Sequence, residues 1–266
     1  MATVPAKAAE RIRDALKRFQ PILSSAKSRD VNESDTVVIV TDVLQYIFGY
    51  DKYAEITSEH MIRNTFCDLA VKIDGKLAFL LEVKAIGLEL KDNHVKQAVD
   101  YAANQGVEWV GLTNGCIWRV YRVTFGKPID HECILEFDLL SLGHKNSDHI
   151  DTLGLLAKEG WAKARISEYH EQRQALSRFT IAAVLLSDTV LNVVRRELRR
   201  AVEVPVEIDQ VRLVMQNEVL KREVLEGDKA TSAARMISRA SNRALRQEKE
   251  DVSMPAPASD AGTDPS

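Results

Sequence analysis

Cysteine is scarce in this chain of 266 residues. Cys67, Cys116 and Cys133 sit in no metal-ligand spacing and make no even framework, which excludes a disulfide scaffold and points to a reduced, cytoplasmic compartment. Histidine is equally uninformative as a ligand source. His60, His94, His131, His144, His149 and His170 form no His-Glu-x-x-His pattern and no His–Cys cluster, so no zinc site is expected. His144 and His149, beside Asp148 and Asp151, read as loop polarity. Charge of one sign is not in large excess: 36 Lys and Arg against 39 Asp and Glu leave a formal charge of −3. That excludes a globally basic binder and means that any claim on nucleic acid must rest on a local site. No apolar run is long enough for a bilayer. The most apolar stretch, 179–186, ends at Ser187–Asp188, and residues 1–18 carry Lys7, Glu10, Arg11, Arg13, Asp14 and Lys17 in place of a signal-peptide core. A soluble protein with no membrane partner is expected. There is no internal repeat and no Gly-x-x-x-x-Gly-Lys phosphate loop, so no helicase motor is expected.

What is present is enough apolar sequence for a real core, at 45% hydrophobic and 28% charged residues. Residues 2–28 predict a charged amphipathic helix interrupted near Pro21. Asn32 predicts an N-cap, with Asp35 three residues on, for a helix built on Val37, Val38, Val40, Val43, Leu44, Ile47 and Phe48 and closed by Gly49. Residues 65–73 and 76–84 alternate around Asp74–Gly75 as a β-hairpin. Asp92 or Asn93 predicts the cap of a helix to Ala103, ended by Asn104-Gln105-Gly106. Residues 107–113 and 116–123 predict a second hairpin around Asn114–Gly115. From about 150 the pattern turns helical, over 152–186, 188–202, 207–225 and 229–247. The expected organisation is an N-terminal helical segment (1–29), an α/β domain with a mixed sheet flanked by helices (30–149), a helical C-terminal module (150–248) and a disordered tail (249–266) rich in Pro, Ala, Ser and Asp.

The first hairpin carries the chemistry. Its odd positions, Cys67, Leu69, Val71, Ile73, Leu77, Phe79, Leu81 and Val83, are apolar, and its even positions include Asp68, Lys72, Lys76, Glu82 and Lys84. One continuous apolar face requires odd residues opposite odd ones, so paired positions must sum to an even number. A two-residue Asp74–Gly75 loop gives odd sums. A three-residue loop, Ile73-Asp74-Gly75, with Lys72 opposite Lys76, restores the match and puts Asp68, Glu82 and Lys84 on one polar face. Two carboxylates suit a hard Mg²⁺ ion, Mn²⁺ being a substitute, and the backbone carbonyl of Val83 adds a ligand between Glu82 and Lys84. Such an ion polarises a phosphodiester and acidifies a water, and an ammonium offsets charge developing on phosphorus-bound oxygen. A charged solvent face on an amphipathic hairpin is the plain alternative. In the following helix, Gln97 and Tyr101 share a stripe with His94, beside a separate apolar stripe of Val95, Ala98, Val99 and Ala102.

Together, Asp68, Glu82-Val83-Lys84 and Gln97-Ala98-Val99-Asp100-Tyr101 resemble the PD-(D/E)xK nucleases of the RecB-like branch. The runs Leu81-Glu82-Val83-Lys84-Ala85, His94 to Ala102, Leu112-Thr113-Asn114-Gly115 and Trp118-Arg119-Val120-Tyr121 are similar to the N-terminal nuclease domain of type I restriction endonuclease R subunits. Asn32-Glu33-Ser34-Asp35-Thr36 resembles the helix start that carries that family's first acidic residue. The likeness spans about residues 30–125. It implies a restriction-endonuclease-like fold, metal binding at Asp68 and Glu82, a catalytic or phosphate-facing Lys84, and Glu33 reaching the metal directly or through water. It also implies that Gln97 and Tyr101 orient Lys84, a water or the DNA backbone. Cys67 stands where the family has the proline that names its motif.

The resulting expectation is a Mg²⁺-dependent endonuclease acting on nucleic acid, DNA foremost, in a restriction or phage-defence setting. The alternative is a non-cleaving nucleic-acid-binding or adaptor protein of the same fold that docks onto a motor or specificity partner. Trp109, Trp118 and Tyr121 read as packing residues, with base stacking the sharper alternative. Arg195, Arg196, Arg199 and Arg200, and the stripe Arg235, Arg239, Arg243 and Arg246, read as solvated helix faces or as phosphate contacts. Val211, Leu213, Val214, Val219, Leu220 and Val224 suggest helices packed on one another, on a second copy, or on a protein partner.

Overall fold

The computed structural model describes residues 4–62 and 65–253. The chain forms two compact units, Met1–His170 and Glu171–Ser266. The first opens with helix α1 (Ala6–Ser28), which passes through Pro21 without interruption. This departs from the expected break at that proline. Ile12, Leu16, Phe19, Leu23 and Ala26 form a buried stripe on both sides of Pro21, while Pro21 itself is exposed. The one carbonyl that loses its helical donor there can turn to water, and tertiary burial outweighs the local penalty.

Helix α2 (Glu33–Tyr46) begins as expected at Asn32, whose side-chain oxygen accepts the Asp35 N–H at 2.9 Å. Gly49, at φ +84°, ends the segment. A Cβ there would lie 2.6 Å from the Arg11 guanidinium carbon, which packs under the turn and donates to the Ile47 and Phe48 carbonyls.

Six strands follow: β1 (Ile56–Ile62), β2 (Thr65–Ile73), β3 (Lys76–Val83), β4 (Trp109–Thr113), β5 (Ile117–Thr124) and β6 (Asp130–Asp138). They make one mixed sheet in sequential order. Only β3 and β4 run parallel, joined by helix α3 (Asp92–Gln105); the other neighbours are antiparallel. Strands β1 and β6 were not foreseen. In β6 the period-two pattern is broken because Val120 pairs with Leu135 and Tyr121 with Cys133, leaving Ile134 as a bulge.

The β2–β3 hairpin also corrects an expectation. Its loop has two residues, Asp74 and Gly75, at φ +50° and +75°, with Ile73 opposite Lys76. Both central residues at positive φ make the tight turn that matches strand twist, so Asp–Gly takes it in preference to the three-residue loop. Parity is restored one step later. Lys72 pairs with Leu77 and Val71 with Phe79, so Ala78 is an extra residue on β3. Beyond this bulge the pairs Val71–Phe79, Ala70–Leu80 and Leu69–Leu81 all have even sums.

Helices cover both sheet faces. Leu69, Val71, Phe79, Leu81 and Val83 pack in one cluster with α1 and α2. Ala70, Leu80, Val110 and Leu112 pack in a second with Val95, Ala98, Val99 and Ala102 of α3. The first unit extends past the expected boundary at 149. It takes in helix α4 (Ser147–Gly154), the short α5 (Lys158–Trp161) and the start of α6 (Arg165–Ala175). The Trp161 ring lies 4.8 Å from Phe79, and the Tyr50 hydroxyl donates to the Leu156 carbonyl at 2.8 Å.

The single helix expected over 152–186 is divided. α4 ends at Gly154, Ala164 takes φ +52°, and Ser177 caps a new helix, α7 (Arg178–Leu185), through the Thr180 N–H. Helix α8 (Asp188–Val202) has the expected limits. The stretch 207–225 resolves into α9 (Ile208–Val214), a π-helical turn (Met215–Val219) and a 3₁₀ turn (Arg222–Val224). Helix α10 (Asp228–Ser253) runs into the segment expected to be disordered from 249; residues 254–266 lie outside the described residues. Within the second unit α7 packs on α10 and α8 on α9. Val211 and Val224 are buried there, whereas Leu213 and Val219 are exposed. Among the described residues no helix is long and apolar enough to cross a membrane.

Because burial holds α1 together across Pro21 against the proline's own preference, Pro21→Ala should stabilise the protein by about 1–3 kcal/mol. The check is the urea midpoint. An unchanged midpoint would mean that the missing hydrogen bond is already compensated.

Candidate active site

The site forms where the pairing of β2 with β3 ends. Leu69 and Leu81 are the last of the paired residues at this end. Asp68 and Glu82 follow next on their strands, past the end of this ladder. The Val83 N–H, left without a strand partner where the ladder stops, donates to Asp68 Oδ2 at 2.7 Å. On the other side of β3 the Lys84 N–H donates to the Thr113 carbonyl at 2.8 Å. Glu82 and Lys84 therefore sit at the carboxyl end of β3, beside the carboxyl end of its parallel neighbour β4. Open α/β sheets place their ligand crevices at such ends.

The side chains converge on Lys84. Its Nζ donates to Glu82 Oε1 at 2.7 Å and lies 3.6 Å from Glu33 Oε2. Glu33 reaches the site because it is the first residue of α2, where the helix N-terminus favours a carboxylate. Asp35, the other acid of that turn, is exposed and serves the cap through its N–H. Glu82 is only 6% exposed. Burial raises its pKa above the usual carboxylate value. The Lys84 hydrogen bond pulls it back, and the Asp68 and Glu33 charges push it further up. For Lys84, burial acts to lower the pKa. The hydrogen bond and charge of Glu82, with Glu33 and Asp68, outweigh it and hold the ammonium above its ordinary value. Three carboxylates thus face one ammonium.

Comparison with protein-family models, with curated proteins and with solved structures finds no match for the chain.

The remaining candidates fall differently. Val83 buries its side chain in the α1–α2 cluster and offers only its backbone to the site. The α3 stripe needs correction. Tyr101 does not lie on a polar flank with Gln97. It is 1% exposed and packs with Val95, Ala98, Val99 and Ala102, while Gln97 is exposed. The buried arc of α3 is wider than small residues alone suggest, and an aromatic ring at its edge reaches the core. Tyr101 borders Cys67, whose thiol is pushed up to about 12 by burial and by the charges of Glu82 and Asp68. Cys67 Sγ also donates to the Leu81 carbonyl at 3.3 Å. Tyr101 is thereby linked to the acid pair through Cys67. His94 leaves the stripe as well: its Nδ1 accepts the Lys91 N–H at 3.2 Å at the start of α3. The cap position is Lys91, one residue before the expected Asp92 or Asn93.

Asn114 carries more than a turn. It is 5% exposed. Its Oδ1 accepts the Cys116 and Ile117 N–H groups, and its Nδ2 donates to the Leu88 carbonyl at 2.9 Å. It therefore ties the loop between Lys84 and α3 to the end of β4. The Asn–Gly pair signalled the turn, but nothing in it signalled a bond across 26 residues.

Among the described residues, no group of three or more His, Cys, Asp or Glu side chains is arranged as a ready metal cage. The donor chemistry nevertheless suits a hard cation. Asp68, Glu82 and Glu33 supply oxygen only, and burial raises the Glu82 pKa against the opposing pull of Lys84.

A carboxyl with a raised folded-state pKa favours folding below its unfolded pKa and loses that contribution as pH rises through the folded value. In metal-free buffer, Glu82→Gln should therefore raise the melting temperature at neutral pH. The gain should vanish below about pH 4, where an ordinary glutamate is protonated in both states. Melting curves from acid to neutral pH provide the check. A variant less stable than wild type at neutral pH would show that the Lys84 bond outweighs burial.

Proposed function

We propose that this chain is a Mg²⁺-dependent nuclease of the PD-(D/E)xK type, built on a restriction-endonuclease-like sheet and hydrolysing phosphodiester bonds of DNA. The observation that carries the reading is the convergence of Glu82 and Glu33 on the Lys84 ammonium, with Asp68 bound to the Val83 N–H next to Glu82. The mixed sheet flanked by helices, and the order of acid, Glu-x-Lys and α3 along the chain, support the same reading. The setting proposed is cytoplasmic, in restriction or phage defence.

Asp68, Glu82, Glu33 and the Val83 carbonyl are the groups that would hold Mg²⁺, or Mn²⁺ in its place. A bound ion would supply positive charge to polarise a phosphodiester and acidify a water. The protein's own part is orientation. Asp68 is braced by the Val83 N–H, and Glu82 by Lys84, so neither carboxylate has to reorganise on loading. Lys84 Nζ keeps donor capacity beyond its bond to Glu82, enough to orient an attacking water and to face the negative charge that grows on the phosphoryl oxygens. Water adds to phosphorus as the bond to the leaving oxygen breaks. Exposed Gln97 offers an amide to the DNA backbone. Tyr101, being buried, supports Cys67 and the acid pair.

The test is incubation of the full chain with supercoiled, linear and single-stranded DNA in Mg²⁺, Mn²⁺ or EDTA. Cleavage is expected with either metal and none in EDTA. Asp68→Ala and Glu82→Ala should abolish it while remaining folded, since neither opens an apolar cavity. Lys84→Ala should reduce kcat roughly 100-fold or more with little change in the metal concentration required. Gln97→Ala and Tyr101→Phe should be milder. No cleavage by wild type in any metal, with DNA or partner binding indifferent to these substitutions, would establish the non-cleaving adaptor instead. Cleavage persisting in Asp68→Ala would remove the activity from this site.

A further inference from the structure

The second unit carries a basic surface that plays no part in the site described above. Between Asp228 and Glu248 the sequence KATSAARMISRASNRALRQ contains one lysine, four arginines and no acid. Most of it lies in α10, where Ala230 and Ala233 are buried and mark the packed side of the helix. Arg235, Arg239 and Arg243 recur every fourth residue and are exposed, so they form one ladder on the side away from that packing. With Ser232, Met236 and Ala240 they line a shallow open groove along the helix.

What separates this ladder from an ordinary solvated face is the absence of counter-charge. Elsewhere in the unit six arginines meet a carboxylate. Arg178 pairs with Glu223, Arg196 and Arg200 with Glu197, Arg199 with Glu207, Arg212 with Asp188, and Arg222 with Glu226. Among the described residues, Arg235, Arg239 and Arg243 make no ion pair. The patch anticipated on α8 is thus partly compensated, with Arg196 and Arg200 sharing Glu197 and Arg199 meeting Glu207, whereas among the described residues no carboxylate pairs with the three arginines of α10. Three guanidinium groups with no ion pair among the described residues, about 6 Å apart along the helix, complement a regular polyanion that can lie along it.

We propose that the exposed face of α10 binds the sugar-phosphate backbone of double-stranded DNA without sequence preference, through Arg235, Arg239 and Arg243. A duplex carries one negative charge per about 1.7 Å of axis, dense enough to engage all three arginines together. The row is assigned to phosphate, which carries no sequence information; arginines that read guanine edges instead would bind unrelated duplexes unequally. This surface uses none of the residues of the proposed nuclease site, so the two proposals fail separately.

The experiment measures binding of the full chain to a short fluorescein-labelled duplex by anisotropy in EDTA, across about 50–200 mM salt. Wild type should bind with a steep salt dependence, equally for unrelated sequences. Arg235→Gln/Arg239→Gln/Arg243→Gln should lower the log–log salt slope by about 3. Wild-type affinity should then fall about 40-fold more than the variant's over that salt range. The corresponding triple lysine variant should retain most of the slope, which separates charge from any effect on folding. Circular dichroism confirms that both variants are helical. A triple glutamine variant with the wild-type slope would overturn the proposal. So would wild type that ignores the duplex and binds anionic phospholipid vesicles or an acidic polypeptide instead. Cleavage assays on Glu82→Ala report on the other site and leave this isotherm unaffected.

Discussion

Two carboxylates held side by side repel, and the arrangement at Asp68 and Glu82 depends on how that repulsion is contained. The containment is specific. Lys84 binds Glu82 on the same strand, the orphaned Val83 N–H binds Asp68, and Glu33 approaches the ammonium from the start of α2. Burial of Glu82 makes the balance tighter, because charge without a partner is most costly where water is excluded.

Much of the first unit can be understood as support for that arrangement. The bulge at Ala78 restores even-sum pairing in the hairpin as far as Leu69 and Leu81, the neighbours of Asp68 and Glu82. The parallel pairing of β3 with β4 puts Thr113 and Asn114 beside Lys84, where a backbone bond and a side-chain bond hold the strand end and the following loop. α1 and α2 close one face of the sheet and α3 the other. Cys67 is fully buried in the cluster that also holds Tyr101. Its raised thiol pKa means that it stays protonated and adds no charge of its own. The second unit follows a different logic, with several local ion pairs and, on α10, a basic row that makes none among the described residues.

The sequence by itself determined the elements whose signals are local. Asn32 capping α2, the places of the turns at Asp74–Gly75 and Asn114–Gly115 though not the length of the first, the limits of α8, and the alternation of β2 and β3 were legible, because each depends on a few adjacent residues. The candidate site was legible in part for the same reason. Asp68, Glu82 and Lys84 lie on one hairpin, and Glu33 is set by the cap beside it.

Tertiary structure decided whatever required a partner distant in the chain. Burial against the sheet carried α1 through Pro21, a position that local preference alone would break. Parity in the first hairpin was restored by a bulge and not by a longer loop, because twist favours the tight turn and packing then corrects the register. A bulge at Ile134 likewise hid β6 from any reading of alternation. Tyr101 moved from an expected polar flank into the core, since the width of a buried helical face is set by what packs on it. Asn114 became a tie to Leu88 only once β4 lay parallel to β3. Short-range chemistry chose the turns and caps. Which side chains meet at the site depended on burial and register, which no local stretch of sequence contains.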